Sequence, residues 1–188
     1  KNLLPGCHKI KPPLDNKAAD KLEELLKQSD IAALIMEPII CNLGVEIPTK
    51  EFMSRAQALC KKYGALLIMD EGAIGFGRTG KLFASEHFEI EPDIMCLAKG
   101  ITGGYGSLGT TIATEEVAKS MEYEFSFYST YGWHPLSTEV AITNIKYLVK
   151  NKECLEKNTN EMSKYFVERL SQMKFKYPVK IRAKGLAI

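Results

Sequence analysis

No stretch of this 188-residue chain stays apolar for the roughly 18 residues that a membrane-crossing helix takes, and its start lacks the pattern of a secretion signal. The chain is therefore expected in the cytoplasm, with no membrane partner. There is no CxxC pair among its five cysteines, an odd number (Cys7, Cys41, Cys60, Cys96, Cys154). They are expected to be reduced core thiols, and no metal site is assigned. No block of basic residues occurs: 25 Lys and Arg against 23 Asp and Glu leave a charge of +2, which argues against nucleic acid as a partner. The glycine-rich Gly100-Ile101-Thr102-Gly103-Gly104-Tyr105-Gly106 holds neither GxGxxG nor a GK[ST] ending, so it is read as a sharp turn after Lys99 rather than a nucleotide loop. What the chain does have is 45% hydrophobic and 26% charged residues, enough apolar content for one sizeable core.

The patterning is that of an α/β protein. Pro5, Pro12 and Pro13 mark an extended opening. From Asp15 to Gln28 the positions Ala18, Leu22, Leu25 and Leu26 keep helical spacing behind an Asp15 cap, and Ile31 to Met36 is a strand stopped by Glu37-Pro38. Thr49 to Tyr63 is a second amphipathic helix, ended by Gly64. Further strands are expected at Ala65–Met69, Ile94–Ala98 and Thr110–Ala113, a short helix at Glu115–Met121, and long helices at Pro135–Lys150 and Lys152–Met173. The apolar stripes of the last two are read as core packing. Strand, helix, strand in repetition predicts a mainly parallel sheet flanked by helices.

Two chemically apt residues end two of these strands. Asp70 follows Ala65–Met69, and Lys99, 29 residues later, follows Ile94–Ala98. Open parallel sheets bind ligands beyond the carboxyl ends of their strands, so an acid and an amine converge on one crevice. Pyridoxal phosphate needs that pair, a lysine to form the Schiff base and a carboxylate to keep the pyridine nitrogen protonated.

The surrounding words are specific. Asp70-Glu71-Gly72-Ala73-Ile74-Gly75-Phe76-Gly77-Arg78-Thr79-Gly80, then Pro92-Asp93-Ile94, then Ala98-Lys99-Gly100-Ile101-Thr102-Gly103-Gly104 resemble the class III aminotransferases of the fold type I pyridoxal phosphate family. The wording is most similar to the branch of diaminopelargonic acid and other ω-amine transaminases, over about Ile31 to Leu148. The resemblance implies a cytoplasmic transaminase that moves an amino group from an amine or amino acid to a keto acid or aldehyde. It makes Lys99 the Schiff-base lysine and proton carrier, Asp70 the pyridinium partner and Ala73 a neighbour of the ring's phenolic oxygen. Ser129-Thr130-Tyr131-Gly132-Trp133-His134-Pro135 is similar to the segment whose threonine reaches the cofactor phosphate of the neighbouring subunit, which implies a homodimer with Thr130, then Ser129, in that role.

Glu71, Arg78 and His134 are read as mainly structural, and Glu37 is equally placed to support the cofactor site or to cap the loop after it. Two departures qualify the likeness. Gly72 stands where relatives carry valine or isoleucine against the ring, and Cys41-Asn42-Leu43-Gly44 lacks the glutamate of the ornithine branches, so those substrates are not expected. Asn42-Leu43-Gly44 also resembles the glutamate-1-semialdehyde aminomutases, which with the class III epimerases are the alternatives within this cofactor class. Outside it the alternative is a truncated, non-catalytic domain. Residues 1–150 are expected to belong to the large cofactor domain and 151–188 to an interdomain helix and the start of a small C-terminal domain, with the phosphate loop upstream and a substrate-binding arginine downstream of this chain.

Overall fold

The computed structural model describes residues 5–28, 30–121, 129–130 and 132–188. Its first helix, α1, is Asn16–Leu26, and the Asp15 carboxylate caps it by accepting from Lys17 N at 2.9 Å and Ala18 N at 3.2 Å. Strand β1 is Ala33–Met36. Helix α2, Lys50–Tyr63, starts where the Thr49 hydroxyl accepts from Phe52 N, and it ends at Gly64, whose φ of +71° closes the last turn. Strands β2 (Leu66–Asp70), β3 (Ile94–Leu97) and β4 (Thr110–Ala113) follow, then α3 (Glu115–Lys119), α4 (Pro135–Lys150) and α5 (Lys152–Ser171).

The four strands form one sheet in the order β1-β2-β3-β4. β1, β2 and β3 run parallel, and β4 returns antiparallel on the edge, pairing Thr110 with Leu97. The register places Asp70 beside Cys96, so the ends of β2 and β3 lie side by side. Asp93 fastens the start of β3: its carboxylate accepts from Leu67 N at 2.7 Å, and its own N–H donates to Leu67 O.

Helices α1 and α2 cover one face of the sheet. Leu22, Leu26, Phe52, Met53, Leu59, Leu67, Met69 and Ile74 make the core there, each large side chain contributing about 1.5 to 3 kcal/mol on burial. Burial in β2 alternates along the strand, whereas continuous apolar runs predict strands covered on both sides. Ile35, 64% exposed, shows that the opposite face is open at β1 among the described residues.

Two expectations from the sequence are corrected here. The stripes of α4 and α5 are not core: Leu136 is 69% exposed, Val149 59% and Phe166 47%, and Ala141 and Thr159 are the buried residues of the two helices. An apolar stripe reports that a face needs cover, not that its cover is at hand. Of the cysteines only Cys60 is buried; Cys41 and Cys96 are half-buried, and Cys7 and Cys154 are exposed. Beyond α5 the chain makes a tight turn at Lys184–Ala187 that docks near Thr79, with Leu186 N donating to Arg78 O.

Candidate functional site

The site is built where β2 and β3 end. Asp70 is the last residue of β2, and its exposed carboxylate accepts from Gly72 N at 2.9 Å, turning the chain back across the strand end. Lys99 opens a 3₁₀ turn, Lys99–Thr102, directly after β3. Its φ is +45°, a left-handed conformation that costs a residue with a side chain on the order of 1 to 3 kcal/mol. Gly72 sits between the two. A Cβ built there would lie 3.0 Å from Asp70 Oδ1, 3.7 Å from Ala98 Cβ and 3.9 Å from Lys99 Nζ. The acid and the amine, 29 residues apart in sequence, thus share one small space that a glycine keeps clear.

The loop between β2 and β3 is held rigidly around them. Glu71 is wholly buried, and its two carboxylate oxygens accept from Ala84 N at 2.9 Å, Ser85 N at 2.7 Å and Ser85 Oγ at 2.7 Å. Burial pushes the Glu71 carboxyl up, and the hydrogen bonds from Ser85 and Ala84 pull it back. Glu71 thereby ties the Asp70–Gly72 corner to the 3₁₀ turn Ala84–His87, the structural role expected of it. His87 Nε2 lies 3.0 Å from Thr79 O and 3.1 Å from Thr79 Oγ1, under the Gly77–Gly80 turn, and burial together with the nearby Lys184 and Lys81 charges brings it down to about 4. Helix α5 grips the same loop from outside, with Glu156 accepting from Leu82 N at 3.1 Å and Lys152 pairing with Glu86 at 3.2 Å.

A cavity of about 300 Å³ opens beside Lys99. Ala73, Phe76, Arg78, Gly100, Leu148, Lys152 and Glu156 are among the residues that line it. The Cys41 thiol is pushed up by burial and the Glu37 carboxylate, while the positive charges of Arg78 and Lys99 oppose that shift, so the Cys41–Leu43 turn feels the same electropositive region. A larger cavity of about 480 Å³, between α1, β1 and residues 6–10, has neither Asp70 nor Lys99 in its lining. Size alone does not mark the site.

Of the five residues expected at a cofactor, the structure brings Asp70, Ala73 and Lys99 to one corner of the sheet. Ala73 and Lys99 line the cavity, whereas Asp70, Ser129 and Thr130 do not; Ser129 and Thr130 are exposed and lie ahead of α4. Glu37 accepts from Cys41 N at 3.2 Å, the bond of a loop cap. Arg78 fixes the loop through its backbone carbonyl, the acceptor for Leu186 N. His134, read as packing, is exposed and caps α4 with its backbone. Sequence reasoning missed Asn144, whose Nδ2 donates to Gly100 O at 2.8 Å and Ile101 O at 3.0 Å, because a polar residue inside an amphipathic helix carries no signal of what lies opposite.

The chain is similar to known proteins over nearly its whole length. The family model for class-III aminotransferases matches residues 3–188. Putrescine aminotransferase of Pectobacterium atrosepticum is 36% identical over 193 residues, which cover 99% of this chain and 40% of that protein. Among solved structures, the thermostable (S)-enantioselective ω-transaminase of Thermomicrobium roseum is 36% identical with a TM-score of 0.82, over 91% of this chain and 39% of its own. The ornithine aminotransferase of Toxoplasma gondii, seen with partial occupancy of PLP at its active site, is 30% identical with a TM-score of 0.79, over 89% of this chain and 39% of its own. The chain thus spans about 40% of the length of the curated relative.

Proposed function

Because the chain belongs to the class-III aminotransferase family, we propose that it is the central part of a pyridoxal-phosphate-dependent transaminase that passes an amino group from an amine or amino acid to a keto acid or aldehyde. The observation that carries this reading is the meeting of Asp70 Oδ1 and Lys99 Nζ around Gly72. That donor set fits the cofactor: one nucleophilic amine, one carboxylate, and no side chain between them. When bound, pyridoxal phosphate supplies an electron-withdrawing ring that stabilises negative charge on the substrate carbon bearing the amine.

The protein's own groups would do the rest. Lys99 Nζ would hold the cofactor covalently and, once freed by the substrate amine, would act as the base that takes the proton from the substrate carbon bearing that amine. Asp70 stabilises the protonated ring nitrogen with a charge-assisted hydrogen bond. Ala73, at the mouth of the cavity, leaves room at the ring edge, and the apolar residues Phe76 and Leu148 help to exclude water. Thr130, with Ser129 second, lies outside the lining of its own cavity, which suits the role of phosphate ligand for a second copy of the chain. A homodimer would also cover the exposed apolar side chains around the start of α4, Trp133 at 84% and Leu136 at 69%. Residues 151–188 are assigned to an interdomain helix and the start of a small domain, and the protein to the cytoplasm. No helix among the described residues is long and apolar enough to cross a membrane.

The ω-amine branch is preferred for the substrates, since the turn after Glu37 is Cys41-Asn42-Leu43-Gly44 and places no carboxylate there. Borohydride reduction of the protein with pyridoxal phosphate, followed by peptide mapping, tests the assignment. The cofactor is expected on Lys99, Lys99→Ala is expected to lose it with the fold intact, and finding it chiefly on Lys81 or Lys119 would overturn the reading.

A further inference from the structure

We propose that Asn144 is a positioning residue that holds Lys99 in reach of Asp70 and so sets how much of the bound cofactor becomes covalently attached; this rests on the functional reading above. Lys99 sits at φ +45°, which a lysine does not hold by its own preference. The turn it opens is closed locally by Ile101 N donating to Ala98 O and Gly103 N donating to Gly100 O, both at 3.1 Å. Those bonds lie within the segment and can shift with it.

Asn144 grips the segment from outside. It sits half-buried on α4, and its amide nitrogen, with two hydrogens, donates to two successive carbonyls, Gly100 O at 2.8 Å and Ile101 O at 3.0 Å. The fit is close on its other side as well, because a Cβ at Gly103 would lie 3.1 Å from Asn144 Oδ1. From below, the wholly buried Thr102 donates its hydroxyl to Gly106 O at 2.6 Å. The backbone that follows Lys99 is thus clamped between a helix and the next loop.

This clamp bears on attachment. Attachment joins Lys99 Nζ to the aldehyde carbon, and the aldehyde oxygen leaves as water. A cofactor held by Asp70 presents its aldehyde at one place, so the yield depends on how often the amine is there. With the two amide bonds gone, the turn can relax to negative φ, the Cα–Cβ direction of Lys99 swings, and the amine leaves the space beside Gly72. The total amount of cofactor held by the other contacts need not change. Asn144 is therefore expected to act on the ratio of attached to total bound cofactor.

The test measures that ratio. The protein and its Asn144→Ala and Asn144→Asp variants are saturated with pyridoxal phosphate, total bound cofactor is read by equilibrium dialysis, and the fraction on Lys99 is read by borohydride reduction and peptide mass spectrometry. Asn144→Ala should lower the ratio about tenfold, equivalent to about 1.4 kcal/mol. Asn144→Asp keeps the shape but loses both donors, and should lower it at least as much. Asn160→Ala is the control: it removes a comparable amide on α5, which donates to Glu156 O at 2.8 Å and to Gly80 O at 3.4 Å but not to the Lys99 turn, and it should leave the ratio unchanged. If Asn144 matters only to stability, the melting temperature and total binding fall while the ratio holds, and the proposal is overturned. Should the Asn144 variants not fold, Gly103→Ala both strains the turn, since φ there is +60°, and crowds the amide from its other side, and must lower the ratio; a folded Gly103→Ala protein with the wild-type ratio also overturns it. Preferential labelling of another lysine in the wild-type protein would instead refute the functional reading, and this inference with it.

Discussion

Gly100→Ala is the sharpest test of how tightly the lysine turn is packed. A Cβ at Gly100 would lie 2.9 Å from Phe76 Cβ, 3.1 Å from Phe76 Cδ2 and 3.4 Å from Phe76 Cγ. Carbon atoms in good contact sit about 3.5 to 4.0 Å apart, so the two segments must separate by roughly 0.5 to 1 Å. Phe76 is poorly able to yield, since its φ is +57° and its ring packs edge-on against Phe83 with centroids 5.6 Å apart. Overpacking of this kind costs about 1 to 3 kcal/mol. Alanine in place of glycine in a helical turn returns up to about 1 kcal/mol, so a net loss of about 1 to 2 kcal/mol is expected. Urea unfolding should show this as a lower midpoint at unchanged slope. Gly109→Ala is the matched control, because its Cβ would meet nothing nearer than Leu97 O at 3.9 Å. The displaced turn should also lower labelling of Lys99 by pyridoxal phosphate and borohydride. Equal midpoints and equal labelling for the two variants would refute the packing argument.

Three further outcomes are expected. Lys99→Gly removes the attachment point yet should be about 1 to 2 kcal/mol more stable than Lys99→Ala, because only glycine adopts φ +45° without strain; equal urea midpoints would show that the turn relaxes in the variants. Glu71→Gln should cost about 1 to 3 kcal/mol, since one amide oxygen cannot accept from Ala84 N, Ser85 N and Ser85 Oγ together and the new NH2 faces donors; thermal unfolding at neutral pH reads the loss, and a wild-type midpoint contradicts it. His87 falls from an ordinary 6.5 to about 4 in the folded protein, so between those pH values the unfolded chain takes up a proton that the folded one refuses. Stability should therefore decrease as the pH drops through that window, by at most about 3 kcal/mol, and His87→Asn should flatten the profile in parallel urea titrations.

Much of the molecule was legible in the sequence because its signals are local. Asp15 caps α1 as its position before an apolar stripe predicts, α2 begins within a residue of Thr49 and ends at Gly64, and Pro135 begins α4. The strands ending at Asp70 and before Lys99 lie within a residue or so of where the apolar runs place them, and parallel pairing follows from the helix between β1 and β2. That Asp70 and Lys99 come together was legible because both end strands of one parallel sheet.

Tertiary structure decided the rest. Sequence spacing holds no information on backbone sign at Lys99, since φ there is a compromise between the residue's own preference and the contacts that over-determine it. Nor does it show that Glu71 would find Ser85, or that Asn144 would find two carbonyls 43 and 44 residues away, because such pairings exist only once helices and loops have been brought together. The apolar stripes of α4 and α5 make the same point from the other side. Period 3.6 determines that each helix has one face to cover, a property of the helix alone; which surface covers it depends on elements elsewhere in space, and among the described residues that face stays open.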